Sequence, residues 1–277
     1  MYQNYTMYLN IKSRENLLNL CYNNNHNTVA WNGYQVNNNI QYQTFMENNV
    51  RDRLNDTQGR QIIENHLRGL ALTGFESDNL NLLLNATQQE ERDWAVGESF
   101  AEAILEQDYN VIFPWNNNRD LRNENSSLPG ADIVGIINDD GQFKFVFGEV
   151  KTSIQNNYPP NVMHGRSGMI HQLETIGTDF TRLLTLIKWL CLRCIGTRFQ
   201  SNFDEAFKYL LQNNNQGLYL IGILVRPNII FNEQDLRSRG EYLGNLFNTT
   251  ARKGLLLAYY LPHSSEDFVN LVVEDNQ

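Results

Sequence analysis

The chain has 277 residues, 41% of them apolar, and a formal net charge of −9. That suffices for one large domain or a core with an appendage. The acidic balance counts against unaided duplex binding, whose affinity comes largely from neutralised phosphates. No apolar run is long enough to read as a membrane span, and the start, MYQNYTMYLNIKSREN, lacks the build of a signal peptide. Three scattered cysteines, Cys21, Cys191 and Cys194, suit a reducing cytoplasm.

Residues 1–86 are rich in asparagine, as in NNNHN at 23–27, and read as a partly helical accessory region. Tyr2, Tyr5, Tyr8 and Ile11 settle on no period. Helices are expected over Ile40–Leu54, with Phe45, Met46, Val50 and Leu54 on one side, and over Gln61–Leu72. Arg51, Arg53, Arg60 and Arg68 make this part locally basic, first as a solvated helical face and second as a phosphate contact surface. His26 and His66 read as surface histidines.

Residues 87–277 are expected to form the second unit. Thr87-Gln88-Gln89-Glu90 has the capping-box pattern, opening a helix to Asp108 with Trp94, Ala101, Ile104 and Leu105 along one stripe. Glu98 and Glu102 share a face of it. Like charges four apart mildly oppose a helix, which points either to a nearby cation or to two solvated acids. Asn110–Trp115 is the expected first core strand, followed by a polar loop, Asn116–Leu128, carrying Arg119, Arg122 and Glu124.

The most informative stretch is PGADIVGIINDDGQFKFVFGEVKTS, Pro129 to Ser153. Ala131–Ile137 and Phe143–Lys151 have the β-branched and aromatic character of strands, and Asp140-Gly141 is a preferred pair for a two-residue type I′ turn. With that turn, Asp139 pairs with Gln142 and Asp132 falls opposite Glu149. The period of two then puts Glu149, Lys151 and Asp132 on the face of Val134, Ile136, Phe145 and Phe147. Two carboxylates at the rim of an apolar wall need a compensating charge. Oxygen-only ligands favour a hard divalent ion, Mg²⁺ before Mn²⁺. The plainer alternative is an exposed hairpin with charged residues.

Downstream, Gln155–Gly168 is irregular around Pro159-Pro160 and offers Arg166. His164 and His171 read first as structural or solvated. Ile170–Ile195 reads as one long helix with Leu183, Leu186, Ile187, Leu190, Cys191, Cys194 and Ile195 on its apolar stripe. Both cysteines there read as core thiols, since no second pair completes a zinc site. Thr181-Arg182, Lys188, Arg193 and Arg198 lie off that stripe. Phe203–Leu211 is a further helix, Gly217–Val225 a buried strand, Glu233–Phe247 a helix, and Leu255–Leu261 and Phe268–Val273 two closing strands. The class is α/β, a mixed sheet flanked by helices. No Walker-type phosphate loop is present.

Asp132 followed at strand spacing by Glu149-Val150-Lys151 resembles the active site of the PD-(D/E)XK, or restriction-endonuclease-like, nuclease superfamily. The likeness covers about Trp94 to Ile154. It departs at Ala131, where the motif has proline; here the proline is Pro129. The resemblance implies a restriction-endonuclease-like core and Mg²⁺-dependent phosphodiester hydrolysis, with Mn²⁺ as a substitute. It implies metal ligands at Asp132, Glu149, the Val150 carbonyl and a helix carboxylate, with Glu98 preferred over Glu102, and Lys151 as the group that orients water. Gln172 is a weaker correspondence. The expected substrate is DNA, with RNA open. The expected setting is a defence, restriction or repair assembly in the cytoplasm, without a membrane, as a homodimer or with a partner such as an ATP-driven helicase. The alternative function is a catalytically silent nuclease-like module that binds nucleic acid or a protein.

Overall fold

The structure, a computed structural model, describes residues 17–85, 93–116, 120, 130–263 and 267–272. The capping box at Thr87, the charged residues Arg119, Arg122 and Glu124, and Tyr2 to Ile11 lie outside the described residues.

Strands β1 (Leu18–His26) and β2 (Val29–Val36) form a hairpin turned at Asn27, which has φ 53°. Helix α1 spans 40–55, widening through Phe45–Val50. It is followed by α2 (Thr57–Leu70), α3 (Gly74–Asn85) and α4 (Asp93–Tyr109). Then come β3 (Val111–Ile112), β4 (Ile133–Asp139) and β5 (Gln142–Thr152). Helices α5 (Met169–Thr178), α6 (Phe180–Cys194) and α7 (Gln200–Gln212) lead to β6 (Leu218–Pro227). The described chain closes with α8 (Arg237–Phe247), β7 (Lys253–Leu261) and α9 (Phe268–Val272).

The seven strands make one sheet in the order β1-β2-β7-β6-β5-β4-β3. Four parallel strands, β2, β7, β6 and β5, occupy its middle. Antiparallel β1 lies outside one edge, and β4 and β3 outside the other. The chain is thus α/β with a mixed sheet and flanking helices. β6 is buried along its length up to Pro227, which is why LYLIGILV carries no polar alternation: a strand covered on both faces must be apolar on both. One face holds α5 and α7, with Phe203 5.2 Å from Phe145 of β5. The other holds α1 and α4, with Phe100 edge-on to Phe45 at 5.8 Å and to Tyr259 at 5.6 Å.

Three expectations change. The 1–86 region is not set apart from the sheet, because residues 18–36 contribute two of its strands and β2 pairs along β7. β1 escapes detection because most of its side chains are exposed, so polar asparagines cost an edge strand little. The helix expected over Ile170–Ile195 breaks at Asp179, whose carboxylate accepts from the amides of Thr181 (2.8 Å) and Arg182 (3.2 Å) and so caps α6. The segment from Phe268 is helical: both neighbours of β7 are already strands, leaving no place for a closing strand beside it. α9 is tied instead to α1 by Arg51, whose Nε donates to the Val272 carbonyl at 2.8 Å.

At the end of β6, Arg226 and Asp235 form a fully buried ion pair. Arg226 also donates to the Gln155 carbonyl, and the Tyr260 hydroxyl donates to Asp235 Oδ2 at 2.8 Å. Removing one partner strands a buried charge. Arg226→Met should therefore cost about 3–5 kcal/mol in urea denaturation, while replacing Asp235 by leucine as well should recover part of it. A single variant as stable as the wild type would show that the pair contributes nothing.

Candidate active site at the open end of the hairpin

Asp140 and Gly141 have φ of 54° and 84°, the two positive values that a type I′ turn requires. The Asn138 side chain steadies the turn by accepting from the Gly141 amide at 2.9 Å. Pairing then runs from Asp139 opposite Gln142 to Ile133 opposite Gly148. One step further, the Asp132 amide donates to the Gly148 carbonyl at 3.0 Å, placing Asp132 level with Glu149. Val134, Ile136, Phe145 and Phe147 are fully buried behind them. Gly148 is needed at the approach to the site, since a Cβ there would lie 2.0 Å from the Ile221 carbonyl oxygen of β6.

Three side chains meet where the hairpin opens. Lys151 Nζ lies 2.8 Å from Glu149 Oε2 and 3.7 Å from Asp132 Oδ2. The same Asp132 oxygen accepts from the Val150 amide at 2.9 Å, which fixes its rotamer. Glu149 is nearly enclosed, while Asp132 and Lys151 keep partial access to water.

Glu98 approaches from the opposite face of the sheet. α4 lies over Thr152, whose Oγ1 would be 3.0 Å from a Cβ at Gly97. Burial pushes the Glu98 carboxyl well up, the Asp132 and Glu102 charges push it further, and Lys151 opposes them. Glu102, one turn on, is instead bonded to Arg53 of α1, whose guanidinium also lies 4.8 Å above the Phe113 ring. Of the two helix carboxylates, then, Glu102 has a committed cationic partner in Arg53, and Glu98 shares the field of Asp132, Glu149 and Lys151. Burial raises Glu149 to about 7, with the Asp132 charge adding to it and Lys151 opposing. Burial alone would lower the Lys151 ammonium, but Asp132 and Glu149 outweigh it and hold it up.

Three carboxylates against one ammonium leave an excess of negative charge that burial makes costly. Among the described residues, no group of three or more His, Cys, Asp or Glu side chains is drawn together tightly enough to hold a metal by itself. Oxygen donors of this kind suit a hard divalent ion, and Asp132, Glu149 and the Val150 carbonyl are the groups that would hold one.

The other expected residues fall elsewhere. His164 Nδ1 is 2.5 Å from Arg239 Nη2 and so serves as the acceptor, while Arg166 and His171 are exposed. Cys194 is buried, its thiol pushed up to about 12 by that burial, and Cys191 is half-buried beside the core. One residue acquires a role that its sequence position did not suggest. Arg182, in the first turn of α6, donates from Nε to the Gly130 carbonyl at 3.0 Å and from Nη2 to Gln172 Oε1 at 2.6 Å. It holds the peptide just before Asp132. The only sequence signal for this was Asp179, whose capping places Arg182 at a helix start. A separate cavity of about 400 Å³ opens beyond the carboxyl ends of β5, β6 and β7, lined by Ile154, Pro227, Ile229, Ile230, Pro262 and His263 among others. The carboxylate cluster does not line it. No family model matches the chain, and no curated protein matches it.

The raised Glu149 gives a pH test. Its carboxyl ionises near 4.5 in the unfolded chain and near 7 when folded. Its contribution to stability is therefore full below about pH 4.5 and is lost as pH rises through about 7. In buffer free of divalent ions, Glu149→Gln should stabilise the protein at pH 8 by on the order of 2 kcal/mol and make little difference near pH 4.5. Denaturation midpoints at the two pH values measure this, and a variant no more stable at pH 8 contradicts it.

Proposed function

We propose that this chain is a metal-dependent nuclease that hydrolyses phosphodiester bonds, with DNA as its substrate, as a subunit of a restriction, defence or repair assembly. The observation that carries the reading is the meeting of Asp132, Glu149 and Lys151 at one point, with Lys151 Nζ 2.8 and 3.7 Å from the two carboxylates. The order of Glu98, Asp132 and Glu149-Val150-Lys151 along the chain supports it through its similarity to the PD-(D/E)XK superfamily.

In this reading Asp132, Glu149 and the Val150 carbonyl would hold a Mg²⁺ ion, which would supply Lewis acidity at the phosphate and a more acidic bound water. Lys151 orients the attacking water through its ammonium protons and neutralises charge that builds on the phosphate. Water oxygen bonds to phosphorus as the P–O bond to the leaving deoxyribose oxygen breaks, the water's proton passing to solvent and the leaving oxygen taking one from solvent. Glu98, held protonated more readily than an ordinary carboxyl, shares the field of Asp132, Glu149 and Lys151. Arg182 and Gln172 keep the Asp132 backbone in place.

The charge of −9 makes a nucleic-acid grip by this chain alone weak. An assembly partner, of which an ATP-driven helicase is one kind, would supply it. No helix among the described residues is long and apolar enough to cross a membrane. One observation favours a second reading, a silent module that binds nucleic acid or protein: Lys151 already bridges both carboxylates and partly balances them without a metal.

The deciding experiment is Mg²⁺- or Mn²⁺-dependent cleavage of plasmid DNA, single-stranded DNA and RNA by the purified chain and by its native assembly. Glu149→Ala and Lys151→Ala should each lose at least about 100-fold in activity, on the scale of an electrostatic catalytic group, while folding normally. Glu98→Gln should lower activity with little loss of stability, whereas Glu102→Gln should act chiefly through stability, because it leaves the buried Arg53 with only its longer ion pair, to Glu106 at 3.4 Å. No cleavage in either preparation favours the silent module, and full activity in the Lys151 variant removes the catalytic assignment.

A further inference from the structure

The cavity beyond β5, β6 and β7 opens at the end of the sheet where β5 carries Lys151. Its walls follow three neighbouring parallel strands: Ile154 after β5, the short helical turn Asn228–Ile230 after β6, and Pro262 and His263 after β7. Ligands of open α/β sheets bind beyond the carboxyl ends of the strands. The volume, about 400 Å³, lies within the roughly 300–1,000 Å³ of small-molecule sites.

Buried contacts hold these walls in place. Arg226, at the end of β6 and paired with Asp235, donates to the carbonyl of Gln155 and so fixes the residue after Ile154 against β6. His263 is stacked on the fully buried Tyr42, with ring centroids 5.8 Å apart and planes 19° from parallel. One face of the imidazole is thereby covered, and the other is left for the cavity. Ile154 and Ile229 are 54% and 88% exposed, so their apolar surface is open to a ligand. None of the described lining residues is acidic.

We propose that this cavity takes one unstacked nucleobase of the strand whose phosphate lies at Lys151, which makes single-stranded DNA the substrate class; the inference rests on the nuclease reading above. Isoleucine and proline walls suit a flat neutral ring. An imidazole stacks on the face of a base, and the amide of Asn228 can hydrogen-bond its edge. The reach fits as well. Ile154 is three residues past Lys151, at most ~10 Å along the chain, and β7 lies roughly 10 Å across the sheet from β5. A stacked strand covers that distance in about three nucleotides. A paired base reaches such a cavity only by leaving its duplex, so a strand that is already unpaired enters with the least cost.

Binding of two short DNA strands to the full chain tests it, at low ionic strength and without divalent ions so that nothing is cut. One strand is abasic throughout; the other is the same backbone carrying a single adenine. The adenine should tighten wild-type binding about tenfold, the scale of one stacked base, and should add little when it is held paired in a duplex. Ile154→Ser with Ile229→Ser keeps the net charge and alters exposed positions, so the circular dichroism spectrum should stay that of the wild type. This variant should bind the abasic strand as before and lose the tenfold gain. A wild type that gains nothing from the base overturns the proposal, as does a gain that survives both substitutions. Cleavage by a chain that shows no gain removes the base site alone, whereas a gain without cleavage in any preparation removes the nuclease reading alone.

Discussion

With Asp140 and Gly141 both at positive φ, β4 and β5 pair in one register, and that register places Asp132 against Glu149. A slip of one residue would turn Asp132 toward the other face and leave Lys151 with a single carboxylate. Both faces of β4 and β5 are buried behind the site, Ile133 and Val146 on one side as fully as Val134, Ile136, Phe145 and Phe147 on the other, so burial alone does not choose the register. The turn chooses it, and the position of the charged cluster follows from the turn.

The sheet brings further groups to that cluster from two directions. α4 delivers Glu98 across one face, while the loop before β4 is fastened by Arg182 from a helix on the far side of the chain's long crossover. The contrast between Glu98 and Glu102 shows what a partner does to a buried acid. Arg53 holds Glu102 in an ion pair and burial still raises it. Glu98 meets mainly other carboxylates, and Lys151 is the one base among its main influences. Such an arrangement is costly without a ligand, and frustrated charge of this kind concentrates at functional sites.

Much of this was legible because it rests on local rules. The Asp-Gly turn, the alternation of Phe145, Phe147, Glu149 and Lys151, and the unbroken apolar run of β6 each have a short-range cause that a sequence displays. What could not be read depends on distant partners. β1 has little hydrophobic signature, and it is a strand because β2, itself paired along β7, offers it an edge. Phe268 to Val272 has strand-like residues but finds that edge taken. Asp179 looks like any mid-helix acid until its carboxylate turns onto the amides of Thr181 and Arg182. The partner that Glu102 finds in Arg53 likewise comes from a helix far upstream.

The pairing of β2 with β7 joins nearly the two ends of the described chain, Val29 meeting Gly254 and Gln35 meeting Tyr260. Contacts of such long sequence separation form late and slowly, because the entropy of closing so large a loop must be met first. During synthesis the β1–β2 hairpin must therefore wait, its open edge unpaired, until β7 has been made. That interval exposes the growing polypeptide to misassociation, and it makes β7 the strand that joins the hairpin to the rest of the sheet.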